Sequence, residues 1–191
     1  MRAAKFRLLF AHKGDRTEAG VAAVEFAFLV PVFLVLLMGV IDVGQMLFAY
    51  YELDQAVAAG AQYAALNAAN VTSTNGAALA TSIATTIANA NGTNWSNGTV
   101  VVNDGPTVTI TGGNTVSSGT ATNADDFYCL AGSSPNWSWG TGYTSQSACA
   151  NGGTAGKFVT VTATYAYVPV LQIYDFIQSG TLTQSAAVQT Q

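Results

Sequence analysis

The chain has 191 residues, half of them apolar and only 8% charged, with a formal net charge of −4. That length holds one membrane or filament helix and one domain of modest size, which excludes a multidomain enzyme. So small a charged fraction suits a membrane-anchored or secreted chain and is unusual for a cytosolic one.

The charge is segregated. Residues 1–20 carry Arg2, Lys5, Arg7, Lys13 and Arg16 against Asp15 and Glu18, whereas everything after Gly20 holds Lys157 alone against eight carboxylates. A basic head before an apolar run is the positive-inside pattern, which keeps the head cytoplasmic and sends the remainder across the membrane. The acidic outer part offers few counterions to phosphate, so nucleic acid is not an expected partner.

From Phe26 to Ile41 the sequence FAFLVPVFLVLLMGVI has no charge, and with Val21 to Val24 it forms an apolar run broken only by Glu25. At ~1.5 Å per residue such a run crosses a ~30 Å hydrocarbon core. A cleavable secretory signal is the rival reading; Gly39 and Ala49 keep it open, although the run is long and lacks a small-x-small site at a polar boundary. Pro31 removes one backbone donor and is expected to bend or loosen the helix. After Asp42 the pattern turns amphipathic: Val43, Met46, Leu47, Tyr50, Leu53, Val57, Ala61, Ala64 and Ala65 recur at helical spacing. One helix over 21–66 follows, with 21–41 in the membrane and 42–66 outside it.

A second helix is expected over Ala77–Asn89, behind the Thr-Ser-Thr-Asn cluster at 72–75 and ended by Asn91-Gly92. Val100 to Val102, a turn at Asn103-Asp104-Gly105-Pro106, and Thr107 to Thr111 read as a hairpin. Residues 112–157 read as loop with one short helix. Phe158 to Val168 alternates as a strand, and Thr181 to Gln189 is expected to return beside it as an antiparallel neighbour. The fold class is therefore α+β: a long N-terminal helix, then a small outer domain over 67–191 with a short helix and an antiparallel sheet.

Cys129 and Cys149 are the only cysteines, and the expected compartment is oxidising, so a disulfide closing the loop 129–149 is the natural assignment. It would contribute on the order of 3 kcal/mol in the chain-entropy model. The single histidine, His12, lies in the basic head, so a serine or cysteine nucleophile outside would lack its usual base. Asp104, Asp125 and Asp126 are a conceivable carboxylate or calcium site, but aspartates in a loop-rich stretch ordinarily serve turns. No catalytic residue, cofactor or metal is expected. Trp137, Trp139 and Tyr143 either form a stacking surface or fill a thin core. The sequons at Asn70, Asn91, Asn94, Asn97 and Asn136 reflect an Asn/Thr/Ser-rich composition.

Glu25 stands apart. A carboxylate at the centre of a membrane helix costs about 2.5–3.5 kcal/mol on insertion scales, less near the interface. If a peptidase cut after Gly20, the freed amino group of Val21 could meet Glu25 of a neighbouring helix and set its register.

These residues resemble the class III prepilin pattern: a basic leader, Gly20 as its last residue, Glu25 at the fifth mature position and the aromatic Phe26 after it. More closely, the chain resembles the TadE-like family of minor pseudopilins of tight-adherence (Flp) pili. The resemblance rests on the segment GVAAVEFAFLVPVFLVLLMGVIDVGQMLFAYYELDQAVAAGAQYAAL, with Pro31 and the Gly39, Asp42 and Gly44 step, and on the later VTVTATYAYVPVLQIYDF and TLTQSAAVQ. Arginines usual in that family's Ala-rich half and final strand are absent, Gln62 standing in one such place. The resemblance implies an inner-membrane precursor with a leader over 1–20, cut by a prepilin peptidase, with other pilins and pilus-assembly proteins as partners. An uncleaved, single-pass adhesin is the alternative.

Overall fold

The computed structural model describes residues 16–90, 97–150, 152–170 and 180–191. Residues 1–15 of the basic head, the Asn91-Gly92 stop, the sequons at Asn91 and Asn94, and the LQIYDF part of the family-like segment lie outside the described residues. The chain divides into two units, Met1–Ile41 and Asp42–Gln191. The architecture is α+β, as the sequence predicts, with two α-helices and seven strands among the described residues.

Helix α1 spans Arg16–Leu66 and continues through Pro31. An uninterrupted supply of helix-compatible apolar residues explains its length, and the one donor that Pro31 lacks is tolerated in an apolar setting. In the first unit its side chains from Val21 to Ile41 are almost all exposed, Phe26 and Phe28 among the most open. By length and composition α1 can cross a membrane.

In the second unit the outer part of α1 buries Leu53, Ala56, Val57, Gly60 and Ala64. This corrects the expected stripe: Val43, Met46, Leu47 and Tyr50 stay exposed, and Ala61 and Ala65 lie off the buried line. Burial recurs at helical spacing only from Leu53 onward; before it Asp42 is buried by itself, beneath Tyr167 and Val170. Gly60 permits the approach, since a Cβ there would stand 2.7 Å from Ile87 Cγ1.

Helix α2, Gly76–Ala90, buries Leu79, Ala80, Ile83, Ala84 and Ile87 on one face. The Thr-Ser-Thr-Asn cluster forms the turn that leads into it, with the Thr72 hydroxyl accepting from Asn75 N–H at 3.1 Å. Both helices close over a five-stranded antiparallel sheet in the order β3-β2-β1-β6-β7. The strands are β1 Asn97–Val102, β2 Thr107–Thr111, β3 Asn114–Ser118, β6 Phe158–Tyr167 and β7 Gly180–Gln189. The inner face contributes Val100, Val102, Val108, Ile110, Val159, Val161 and Ala163 to the core. The other face is lined by hydroxyls: Thr99 opposes Thr109 and Thr162, and Thr162 opposes Ser185.

The expected hairpin and the antiparallel pairing of the last strand are present. Two features of 112–157 were expected to be loop and are not. Gly112 and Gly113, both at positive φ, turn the chain into β3. Farther on, β4 Ala131–Ser133 and β5 Asn136–Ser138 form a small hairpin.

At the β1–β2 turn Asn103 and Asp104 both adopt φ near +53°, the left-handed region that Asn and Asp tolerate best among non-glycine residues. Burial raises the Asp104 carboxyl above its ordinary value of 3.8. A raised folded-state value favours folding below the unfolded value and loses that advantage as pH rises through the folded one. Asp104→Asn should therefore stabilise the fold at neutral pH by about 0.5 kcal/mol, the upper end for a partly exposed site. The gain should disappear below the ordinary carboxylate range; thermal midpoints at neutral and acidic pH check this.

Candidate functional site

The amino-terminal segment of α1 presents Gly20, Val21, Glu25 and Phe26 on an open helix. A Cβ at Gly20 would meet nothing within 4 Å, Val21 and Phe26 are exposed, and so is Glu25. Val21 and Glu25, four residues apart, lie on one helix face. After Arg16 the next basic residue in the chain is Lys157, and Lys157 is committed elsewhere. Its side chain is buried, its Nζ donates to the Val71 carbonyl at 3.1 Å and stands 5.6 Å from the centre of the Phe127 ring. After Gly20 the sequence therefore offers Glu25 no uncommitted basic side chain.

Asp42, within the Gly39–Gly44 step, is fully buried. Its Oδ1 accepts from Val170 N–H at 2.7 Å and its carbonyl accepts from the Tyr167 hydroxyl at 2.8 Å. The helix thereby holds the end of β6. Sequence reading placed Asp42 in a family-like step without a role; the available signal was its position as the sole charged residue between Glu25 and Glu52.

Cys129 and Cys149 stand at disulfide distance, their Cα atoms 5.7 Å apart. The loop they close is tied by bridges between Phe127 and Tyr143, Tyr128 and Gly156, and Ala148 and Thr154. Trp139 packs edge-on to Tyr128 with centroids 5.8 Å apart, and Trp137 is half-buried. Tyr143 remains open. Burial first, then the Asp104 and Asp126 charges, pushes the Tyr128 hydroxyl up. Ser134, at the tip of the β4–β5 hairpin, bonds Ser185 on the hydroxyl face of the sheet at 2.7 Å.

The three loop aspartates serve separate ends. Asp125 accepts the Ser73 amide at 2.9 Å, and its hydrogen bonds with Ser73 hold its carboxyl below the ordinary value. Asp104 occupies the left-handed turn, and Asp126 offers its backbone carbonyl to Asn103. Among the described residues no group of three His, Cys, Asp or Glu is placed to hold a metal ion.

Sequence reading placed Asn103 in the hairpin turn and gave its side chain no role. It is completely buried, its Nδ2 reaches the carbonyls of Asp126 at 2.6 Å, Ala124 at 3.2 Å and Asn123 at 3.3 Å, and its Oδ1 accepts from Phe158 N–H at 3.1 Å. One side chain thus joins the hairpin turn, the 3-10 helix Ala121–Asp125 and the start of β6.

Residues 20–62 match the family model of TadE-like protein. No curated protein and no solved structure matches the chain.

Proposed function

We propose, from the TadE-like segment at 20–62, that this protein is a minor pseudopilin of the tight-adherence pilus, cut after Gly20 by a prepilin peptidase. Its role is structural: initiating, tipping or supporting the filament. The observation that carries this reading is Glu25, an exposed carboxylate directly following Gly20-Val21-Ala22-Ala23-Val24 in a helix whose next charged residue is Asp42. Cleavage would create an α-amino group at Val21 with an ordinary pKa of about 7.7–8.0, largely positive near neutral pH. In a bundle of staggered helices that group meets Glu25 of a neighbour, and the pair fixes axial register as a buried polar residue does in a coiled coil.

The basic leader keeps residues 1–20 on the cytoplasmic side of the inner membrane, and the bulk of the unit Asp42–Gln191 faces the periplasm. The part-buried Trp137 and the packing of Trp139 on Tyr128 favour an interior role for these rings over a stacking platform, which counts against the uncleaved adhesin.

Fractionation tests the reading. Mature protein is expected in sheared pili or in a membrane pool that pilus assembly requires, and its deletion should abolish piliation. Normal pili in the deletion strain, with adhesion alone lost, would support the adhesin instead.

A further inference from the structure

Between Glu25 and Glu52 the chain holds 26 residues and one charge, Asp42. That charge is fully buried, while its helical neighbours Val43, Met46, Leu47, Phe48, Tyr50 and Tyr51 remain exposed, Phe48 at 74%. The exposed surface of α1 is therefore uncharged well beyond Ile41. At ~1.5 Å per residue the stretch measures about 39 Å, longer than a ~30 Å hydrocarbon core and close to a whole bilayer with its headgroups.

Asp42 falls inside that length, and a carboxylate facing acyl chains is costly unless protein donors enclose it. The segment at and after the end of β6 supplies the cover: the Val170 amide donates to the carboxylate, and the Tyr167 hydroxyl beside it donates to the Asp42 backbone carbonyl. The same short segment turns two apolar side chains outward, with Val168 60% and Val170 57% exposed around a buried Pro169. Since Val170 N lies 2.7 Å from the Asp42 carboxylate, this segment and Asp42 share one depth along α1.

We propose that Tyr167–Val170 enters the outer leaflet of the membrane beside α1, with Val168 and Val170 against lipid and Asp42 screened from it. Lipid is the occupant because the exposed surface of α1 stays uncharged and mostly apolar from the residues that span the bilayer to those at this depth, Gln45 being the exposed polar side chain among them. The outer domain is then seated in the membrane by a second element in addition to its helix. This fixes how it faces the bilayer before it leaves for a filament. The inference rests on the single-pass reading.

Full-length protein in vesicles of phosphatidylethanolamine and phosphatidylglycerol, spin-labelled through a cysteine introduced at Val168, Val170, Phe33 or Thr115, supplies the test. Labels at Val168 and Val170 should collide with oxygen several-fold more effectively than with a water-soluble nickel chelate, as should the label at Phe33, while Thr115 shows the reverse. If Phe33 lies in lipid but Val168 and Val170 prefer the chelate, the proposal fails and the membrane span stands. Chelate access at Phe33 as well would defeat the single-pass reading itself. Labels at 168 and 170 shielded from both reagents and broadened by neighbouring labels would assign the surface to a second copy of the chain, and would overturn the lipid assignment.

Discussion

A Glu25→Ala variant is expected to reach the membrane at normal or raised levels and to support no pili. Removing the carboxylate lowers the cost of inserting the helix, by at most about 2.5–3.5 kcal/mol were Glu25 at the bilayer centre. Insertion therefore has no reason to fail. What the variant lacks is the acceptor for the Val21 amino group of a neighbouring helix, and no basic side chain lies between Arg16 and Lys157 to restore an ionic register. Glu25→Asp, one methylene shorter, should recover part of the piliation because the charge remains while its reach changes. Immunoblots of membranes and of sheared filaments read both quantities at once. Full piliation by Glu25→Ala would show that the carboxylate takes no part in assembly.

The second large effect concerns the fold. Asn103→Ala is expected to destabilise the outer domain by about 3–8 kcal/mol, from the Asp126 carbonyl and the Phe158 amide left without this partner at about 1–3 kcal/mol each and an alanine forced to positive φ at about 1–2 kcal/mol. Against a usual total of about 5–15 kcal/mol, that would leave many molecules unfolded in the cell. Asn103→Gly separates the two causes, because glycine accepts φ of 53° and loses only the side-chain bonds. It should recover about 1–2 kcal/mol relative to alanine in denaturant titrations. Equal stability of the alanine variant and the parent would remove Asn103 from its place at the junction of turn, 3-10 helix and β6.

Much of this was legible in the residues themselves. The absence of charge from Phe26 to Ile41 announces a long helix, and alternation from Phe158 onward announces a strand, because each is a local pattern repeated enough times to be unambiguous. The β3 strand is different: all five of its residues are exposed, so no apolar period marks it, and Gly112-Gly113 was the one usable sign. The β4–β5 hairpin has three residues per strand, too few for any period to emerge.

Polar residues that work from inside were the hardest to read. Asn103 belongs to an Asn-Asp-Gly-Pro run that looks like an exposed turn, and its burial is imposed by the chain around 121–126 and by Phe158, segments remote in sequence. In the sequence Lys157 is only a lone positive charge; its contact with the Val71 carbonyl depends on tertiary packing. Asp42 was visible as an isolated acid, but its partners Tyr167 and Val170 lie more than a hundred residues away. Asp42 alone of the three stands out in the pattern, and in each case the fold supplies the role.

The central claim is that Gly20 ends a leader and Val21 begins the working protein. The intact mass of the protein isolated from membranes or sheared pili tests this most directly, with fragmentation to locate its first residue. The account predicts a chain starting at Val21, with or without a methyl group on its nitrogen. A chain retaining residues 1–20, or one beginning beyond residue 40, would contradict it.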